Sequence, residues 1–477
     1  MAGLDELVQR LQALGFSQYE ARAYCALLQK SPANGHEVAK TAGIPTSKIY
    51  ETLERLHQKG AVLVQRSEPT LWAPVPHRDL VAGLRQRMEA TFSAVAGGLF
   101  ILPFFLLSAL SGQLADANDK AVIVRLVKTA EIVIMIVGAA GLLFHNVPLL
   151  LAALFAMGVH STFFGPIKYA ILPQHLHKDE VLGGTGLVEA GTYIAILGGT
   201  LLGGILVVQR ADGSFHAEYA AVGVLAVAII GRIAGGFVPP APPADDPEIP
   251  GYPKRGMDWH IIRASITLVS ATLHVKRLFL AIIAISFFWS MGAVLAAQFP
   301  PLVKNSLGSD QTVATLFLAV FSIGVAIGSV AVNRLLKGQV AAKFAPASAL
   351  AMGLFVLDLH RRVHGWPVNG GELYDMAQFL ALPNAWMVVV DLLGTSIAGG
   401  MFVVPLYAFL TTTVPKSETA RTIAANNIVN SGMMVAATLI LTLAVQLGVT
   451  VADSLLIVAV ASVVAAWIGW KLHRACD

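Results

Sequence analysis

Between residues 96 and 472 the chain carries eleven apolar stretches, each approaching the roughly 20 residues that a helix needs to cross a bilayer's hydrocarbon core. They lie near 96–114, 129–145, 148–171, 184–208, 219–238, 278–300, 312–332, 345–359, 386–411, 425–447 and 453–472. With 56% hydrophobic and 13% charged residues, against about 25% charged in soluble domains, such a chain has too little polar surface to cover several water-facing cores. The pattern predicts an all-α membrane bundle of about 11 spans, in which the 43 glycines let helices approach closely. Cys25 and Cys476 stand at opposite ends of the sequence and offer neither a disulfide framework nor a thiol metal site.

The charge is uneven. About 20 of the charged residues fall in the first 96, so roughly a fifth of that segment is charged, against about a tenth of the remainder. The opening residues lack a basic region followed by an apolar run, so no secretory signal is expected there. Residues 1–95 therefore read as a water-soluble module. Ser17-Gln18-Tyr19-Glu20 fits a capping box, which predicts a helix start. Ala21, Tyr24, Leu27 and Leu28 follow on one stripe until Ser31-Pro32. A short helix at about 35–42, a break at Gly43-Ile44-Pro45 and a longer helix at about 46–58, with Ile49, Leu53 and Leu56 inward, come next. Residues 61–75 alternate weakly around Glu68-Pro69, as a hairpin wing would.

This is the spacing of a winged helix-turn-helix, whose second helix presents Thr46, Ser47, Lys48, Tyr50, Glu51 and Arg55 outward. Leu14-Gly15-Phe16-Ser17, Tyr19-Glu20-Ala21-Arg22-Ala23-Tyr24, Ser47-Lys48-Ile49-Tyr50-Glu51 and Lys59-Gly60 resemble the head of TrmB-type transcription regulators. The resemblance implies DNA binding through Thr46, Ser47, Lys48, Tyr50 and Arg55, with Arg66 of the wing on a phosphate. That family often has Arg where Thr46 stands, and its ligand-sensing C-terminal domain has no counterpart here. Protein contact or dimerisation is the competing use of such a head.

In the membrane part, Pro239-Pro240-Ala241-Pro242-Pro243-Ala244-Asp245-Asp246 opens a proline-rich linker. It separates a first half, 96–238, from a second, 277–477, with a cytoplasmic linker at 239–276. Lys and Arg recur in every second loop: Lys120, Arg125 and Lys128; Lys178; Lys254, Arg255, Arg263, Lys276 and Arg277; Arg334, Lys337 and Lys343; Lys416 and Arg421; Lys471 and Arg474. These loops are expected on the cytoplasmic side. Arg361 and Arg362 break the alternation.

Gly112-Gln113-Leu114-Ala115-Asp116, then Asp119-Lys120, with a degenerate copy from Gly328 to Asn333-Arg334, resembles the signature of major facilitator transporters. A gating role follows for Gly112, Asp116, Asp119, Lys120, Asn333 and Arg334, Asp116 being placed to satisfy a neighbouring helix N-terminus or an Arg across the cytoplasmic gate. Gly199 with Gly203 and Gly324 with Gly328 read as packing pairs. Gly98-Leu99-Phe100-Ile101-Leu102-Pro103-Phe104-Phe105, Ser161-Thr162-Phe163-Phe164-Gly165-Pro166-Ile167-Lys168-Tyr169, Leu187-Val188-Glu189 and Ala424-Ala425-Asn426-Asn427-Ile428 are similar to the lysophospholipid transporter branch of that superfamily. The resemblance implies movement of lysophospholipids such as lysophosphatidylethanolamine between leaflets of the bacterial inner membrane, often beside an acyltransferase partner.

Ionisable groups inside spans are costly and default to functional candidates. Lys168, after Gly165-Pro166, suits a lipid phosphate; Glu189 suits an ammonium or Lys168; Glu131, Asp358 and Asp391 are further acidic candidates, and Asn426 and Asn427 suit a headgroup or bond between helices. No metal cluster, nucleophile-base pair or phosphate-cradling loop is read from the spacing, so neither an enzyme nor a cofactor is expected. The family resembled has a helix before the segment equivalent to 97–115; here the soluble module stands in its place. Eleven spans with a cytoplasmic C-terminus would put residues 1–95 outside the cytoplasm, away from DNA. Three readings follow: a lysophospholipid-type transporter with an unusual head, a membrane-tethered regulator, or a fusion with neither activity intact.

Overall fold

A computed structural model describes residues 2–206, 215–244, 257–367 and 372–476. Asp245, Asp246, Lys254 and Arg255 of the linker lie outside the described residues. The chain divides into two compact units, Met1–Gly97 and Gly98–Asp477.

The first unit opens with α1 (Ala2–Ala13), α2 (Gln18–Gln29), β1 (Ala33–Asn34), α3 (Gly35–Ala42) and α4 (Thr46–Gln58), and closes with β2 (Val62–Gln65) and β3 (Leu71–Pro74). Each boundary has a local cause. Ser17 Oγ accepts from the Glu20 N–H while the Glu20 carboxylate accepts from the Ser17 N–H, the reciprocal box expected at the start of α2. Asn34 and Glu37 repeat it at α3, which ends on Gly43 at φ +65°, where a side chain would be strained. The strands form an antiparallel sheet in the order β1-β3-β2. Ala21, Tyr24 and Leu27 are buried as expected, but Leu28 is 46% exposed: it has turned off the stripe at the end of α2. The Tyr24 hydroxyl donates to the Val75 carbonyl at 2.9 Å, tying α2 to the wing.

A helix α5 (His77–Ala117) carries the first apolar span. It is followed by α6 (Lys120–Leu143), α7 (Val147–Ala170), α8 (Leu172–His175), α9 (Val181–Leu206), α10 (Ala217–Gly236) and α11 (Ile261–Leu273). The second half holds α12 (Lys276–Pro301), α13 (Gln311–Leu336), α14 (Ala345–His364), α15 (Met376–Ala381), α16 (Ala385–Thr413), α17 (Thr419–Gln446) and α18 (Val451–Cys476). Ten helices among the described residues are long and apolar enough to cross a membrane. The stretch expected at 345–359 is absent from the ten because α14 ends in Asp358, Arg361 and Arg362.

Connectivity nevertheless makes α14 a crossing. Tyr374 N–H donates to the Gly308 carbonyl and Asp310 N–H to the Tyr374 carbonyl, both at 2.9 Å. The chain after α14 thus returns to the turn between α12 and α13, whereas α14 begins where α13 ends, at the other side. Among the described residues the second half then has six crossings, α12, α13, α14, α16, α17 and α18, and the first has five, α5, α6, α7, α9 and α10. The second-half core includes Phe288, Phe317, Val356, Phe402 and Leu455, all nearly inaccessible.

Candidate functional site

In the first unit, α4 turns Ile49, Leu53 and Leu56 inward, which leaves Thr46, Ser47, Lys48, Tyr50 and Arg55 exposed on its other side. Arg66 is exposed beyond β2. Glu51 sits between two of the cations, 3.8 Å from Lys48 and 2.7 Å from Arg55, so these side chains form a solvated row with partial internal neutralisation. Tyr50 leans on Gly35 so closely that a Cβ there would stand 2.7 Å from its ring. At the base of the unit Lys59 bonds Glu20 at 2.6 Å and the Gly15 carbonyl at 2.9 Å. Burial pushes the Glu20 carboxyl up, but Lys59 and the Ser17 N–H together hold it below its ordinary value.

In the bundle, the halves meet at the end bearing the basic loops. Asp116 accepts N–H groups of Ala420 and Arg421, both at 3.0 Å, at the start of α17. Gly112 permits that approach, since a Cβ there would stand 2.7 Å from Ala424 Cβ and 2.9 Å from Arg421 Cα. On the other flank, a Cβ at Gly186 of α9 would fall 2.4 Å from the Ser329 carbonyl of α13, and one at Gly183 3.0 Å from Asn333 Nδ2. Asp119 caps α6 through the Ala121 N–H and also accepts from Ala241 of the linker. Its partial burial raises its pKa, but these backbone donors outweigh that and hold it below the ordinary value. Lys120 is fully buried, and Arg334 is exposed at the end of α13.

Toward the opposite end the halves part. A Cβ at Gly191, Gly198, Gly199, Gly203, Gly292 or Gly432 would meet nothing within 4 Å. This corrects the packing role expected for Gly199 and Gly203, which face open space because α9 has left α13 by that level. Gly324 and Gly328 do pack, against Ser396 and Ile397 of α16. The bundle is thus closed at its basic end and open at the other.

At the base of this opening, about two turns in from the basic end, lies a polar cluster drawn from both halves. Lys168 Nζ is 3.5 Å from Thr192 Oγ1 and 4.7 Å above the Tyr169 ring. The Tyr169 hydroxyl donates to Glu189, which is fully buried and has its second carboxylate oxygen unpartnered. Tyr169 stacks on Tyr407 of α16, ring centres 4.5 Å apart. Trp289 Nε1 donates to the Tyr407 hydroxyl at 2.7 Å, and the Ser286 hydroxyl donates to Asn430 Oδ1 at 2.6 Å. Asn426 is fully buried with both side-chain polar atoms unpartnered, and Asn427 lies beside Gly165. Unpartnered buried polar atoms at such a point suit a polar ligand group.

The structure therefore brings Lys168, Glu189, Asn426 and Asn427 to one region and leaves the other acidic candidates elsewhere. Glu131 is held within the first half by Lys128 at 2.7 Å and His160 at 3.4 Å. Asp358 and Asp391 share Arg362, at 2.6 and 2.9 Å, at the outer end of α14 and α16. Sequence reasoning missed Tyr169, Tyr407, Trp289 and Asn430, because aromatic and amide groups in an apolar span carry no charge signal; only their register on facing helices marks them.

Residues 80–359, more than half of the chain, match the family model of the Major Facilitator Superfamily, and residues 11–78 match that of the sugar-specific transcriptional regulator TrmB. The lysophospholipid transporter LplT of Pectobacterium carotovorum subsp. carotovorum strain PC1 is 26% identical over 357 residues, 74% of this chain and 77% of its own length. An uncharacterized protein of Bacillus subtilis strain 168, YrhO, is 42% identical over 88 residues, 18% of this chain and 32% of its own. Among solved structures, the human organic anion transporter MFSD10 superposes with a TM-score of 0.63 at 13% identity, covering 98% of this chain and 99% of its own. The Escherichia coli fucose:proton symporter FucP does so with 0.58 at 13% identity, covering 82% and 93%; at such identities the likeness speaks for the fold alone. With eleven crossings in two halves among the described residues, a winged-helix head and a family match over more than half of its length, this chain is a multi-pass membrane protein that belongs to the Major Facilitator Superfamily.

Proposed function

We propose that the bundle transports lysophospholipids across the inner membrane, taking them up at the outward-facing opening. The observation that carries this reading is the similarity to LplT along three quarters of the chain. The cluster suits the chemistry: Lys168 offers a cation to a headgroup phosphate, and the free oxygen of Glu189 offers an acceptor to an ethanolamine ammonium. An acyltransferase that consumes the imported lysophospholipid is the partner this function implies. Uptake of labelled lysophosphatidylethanolamine by spheroplasts tests it. Lys168→Ala and Glu189→Gln each remove a charge-assisted contact of about 1.5–3 kcal/mol, so uptake should fall roughly 10-fold or more; unchanged rates remove both residues from the site, and no uptake by the wild type removes the substrate.

A second reading concerns the head alone, favoured by the exposed row Thr46, Ser47, Lys48, Tyr50 and Arg55 with Arg66 nearby. It gives the head DNA binding, with backbone phosphates as the main partners. Binding of duplex DNA to the full chain should weaken steeply with salt and lose slope in Arg66→Ala; flat salt dependence points instead to a head used for protein contacts.

A further inference from the structure

At the outer ends of α14 and α18 stands a group of side chains that transport leaves unused. His360 and His364 lie one turn apart on α14, so their rings share a face. Asp453, in the first turn of α18, meets both: its Oδ1 is 3.9 Å from His360 Nε2 and 3.7 Å from His364 Nδ1. The three ligand atoms all lie within 4.8 Å of one another.

Two of these groups are already aimed by a second bond. His360 Nδ1 is 3.0 Å from the Ala452 carbonyl, which only accepts. Nδ1 therefore carries a hydrogen, and in the neutral ring Nε2 turns a lone pair toward Asp453. Asp453 Oδ2 accepts the Thr450 hydroxyl at 2.7 Å, leaving Oδ1 for the histidines. A backbone carbonyl orienting one imidazole nitrogen while the other faces a carboxylate is the arrangement that fixes metal-ligating histidines. Lone pairs converging in this way call for a cation between them.

We propose that His360, His364 and Asp453 bind a divalent transition cation of the zinc class. Two imidazoles and one carboxylate form a borderline nitrogen-oxygen set, unlike the all-oxygen shells of calcium and magnesium. Around a tetrahedral ion with bonds of about 2.0–2.2 Å, neighbouring ligand atoms stand roughly 3.3–3.6 Å apart. The site closes by a movement of about an ångström, which His364, 66% exposed in its side chain, is free to make. The ion would pin α14 to α18 within the second half, at its outer end, with water in the fourth position. The inference stands independently of the lysophospholipid reading.

The test uses the full chain in detergent, stripped with a chelator and titrated with Zn²⁺ by calorimetry near neutral pH. One saturable site is expected, weakened about tenfold or more in His364→Gln and in Asp453→Asn, and lost in a His360→Ala/His364→Ala double variant. Zn²⁺ should raise the melting temperature of the wild type and leave that of the double variant where it was. Zn²⁺ binding that is equal in wild type and double variant places the ion elsewhere and overturns the proposal. Absence of Zn²⁺ binding by the wild type also overturns it, leaving a histidine-carboxylate contact without an ion.

Discussion

Replacing Asp116 with alanine tests the closure of the basic end at a single point. Asp116, 6% exposed, is the acceptor for two N–H groups in the first turn of α17, one per carboxylate oxygen, each at 3.0 Å. The first turn of a helix offers N–H groups to an outside acceptor, and a carboxylate there is favoured. A buried donor left bare costs about 1–3 kcal/mol; with the Arg421 N–H only partly buried, the closed basic end loses roughly 2–4 kcal/mol in total, which shifts the balance toward opening by about 30- to 900-fold. The probe is a cysteine at Ala425, inaccessible at this closed face, in a background with Cys25 and Cys476 replaced by serine. Its labelling from the cytoplasmic side proceeds at a rate proportional to the open population even when that population is small. Asp116→Ala should accelerate labelling about 30-fold or more; Asp116→Asn, which keeps one acceptor oxygen, should fall between. Equal rates in wild type and both variants would refute the claim that this carboxylate holds the end shut.

Gly328→Ala places a Cβ 2.0 Å from the Ile397 carbonyl, so α13 and α16 must separate; the melting temperature in detergent should drop by the equivalent of about 1–3 kcal/mol, while Gly199→Ala, with open space before it, should not lower it. In the head, Glu20 has a carboxyl held below its value of 4.5, so its bond to Lys59 contributes stability above that pH and is lost as pH falls through the folded value. Reactivity of Cys25, 1% exposed, toward a dipyridyl disulfide reports opening of the head. It should climb as pH falls below about 4.5, and Lys59→Met should raise it at neutral pH and flatten its rise; a Lys59→Met profile parallel to the wild type's would show that the pair is idle. Eleven crossings place Gly98 and Cys476 at opposite ends of the bundle, so an alkaline phosphatase fused at the N-terminus should be active and one fused at the C-terminus inactive. Activity of the C-terminal fusion would invert the assignment of sides.

The head was legible almost to its boundaries because capping chemistry is local. Ser17 and Glu20 satisfy each other across one turn, and Gly43 supplies the left-handed residue that ends α3. What escaped were α1 and β1. The first carries no capping signal, and the second is two residues long, existing only because β3 passes beside it. In the bundle, Asp116 was legible as a carboxylate for a helix N-terminus or for an Arg across the gate, and it is the helix N–H groups that it accepts. The central cluster was legible only where it is charged. Tyr169 and Tyr407 are separated by most of the transporter sequence, and their stacking follows from the packing of α7 on α16, which no spacing within either helix encodes.

Arg361 and Arg362 show how a charge pattern can mislead on one count and hold on another. In the sequence they break the alternation of basic loops and make the 345–359 stretch too polar to stand among the ten apolar spans. In the structure Arg362 lies inside the fold, bonded to Asp358 by two nitrogens at 2.6 and 3.0 Å and to Asp391 at 2.9 Å. A cation between two carboxylates adds no net positive charge to its loop, so it carries little weight in orienting the chain. The same bonds absorb Asp358 and Asp391, which as isolated intramembrane acids looked like substrate ligands. Removing Arg362 from the count leaves only the exposed Arg361 of the pair against the alternation, and the same bonds leave Lys168 and Glu189 as the charged candidates brought to the base of the opening.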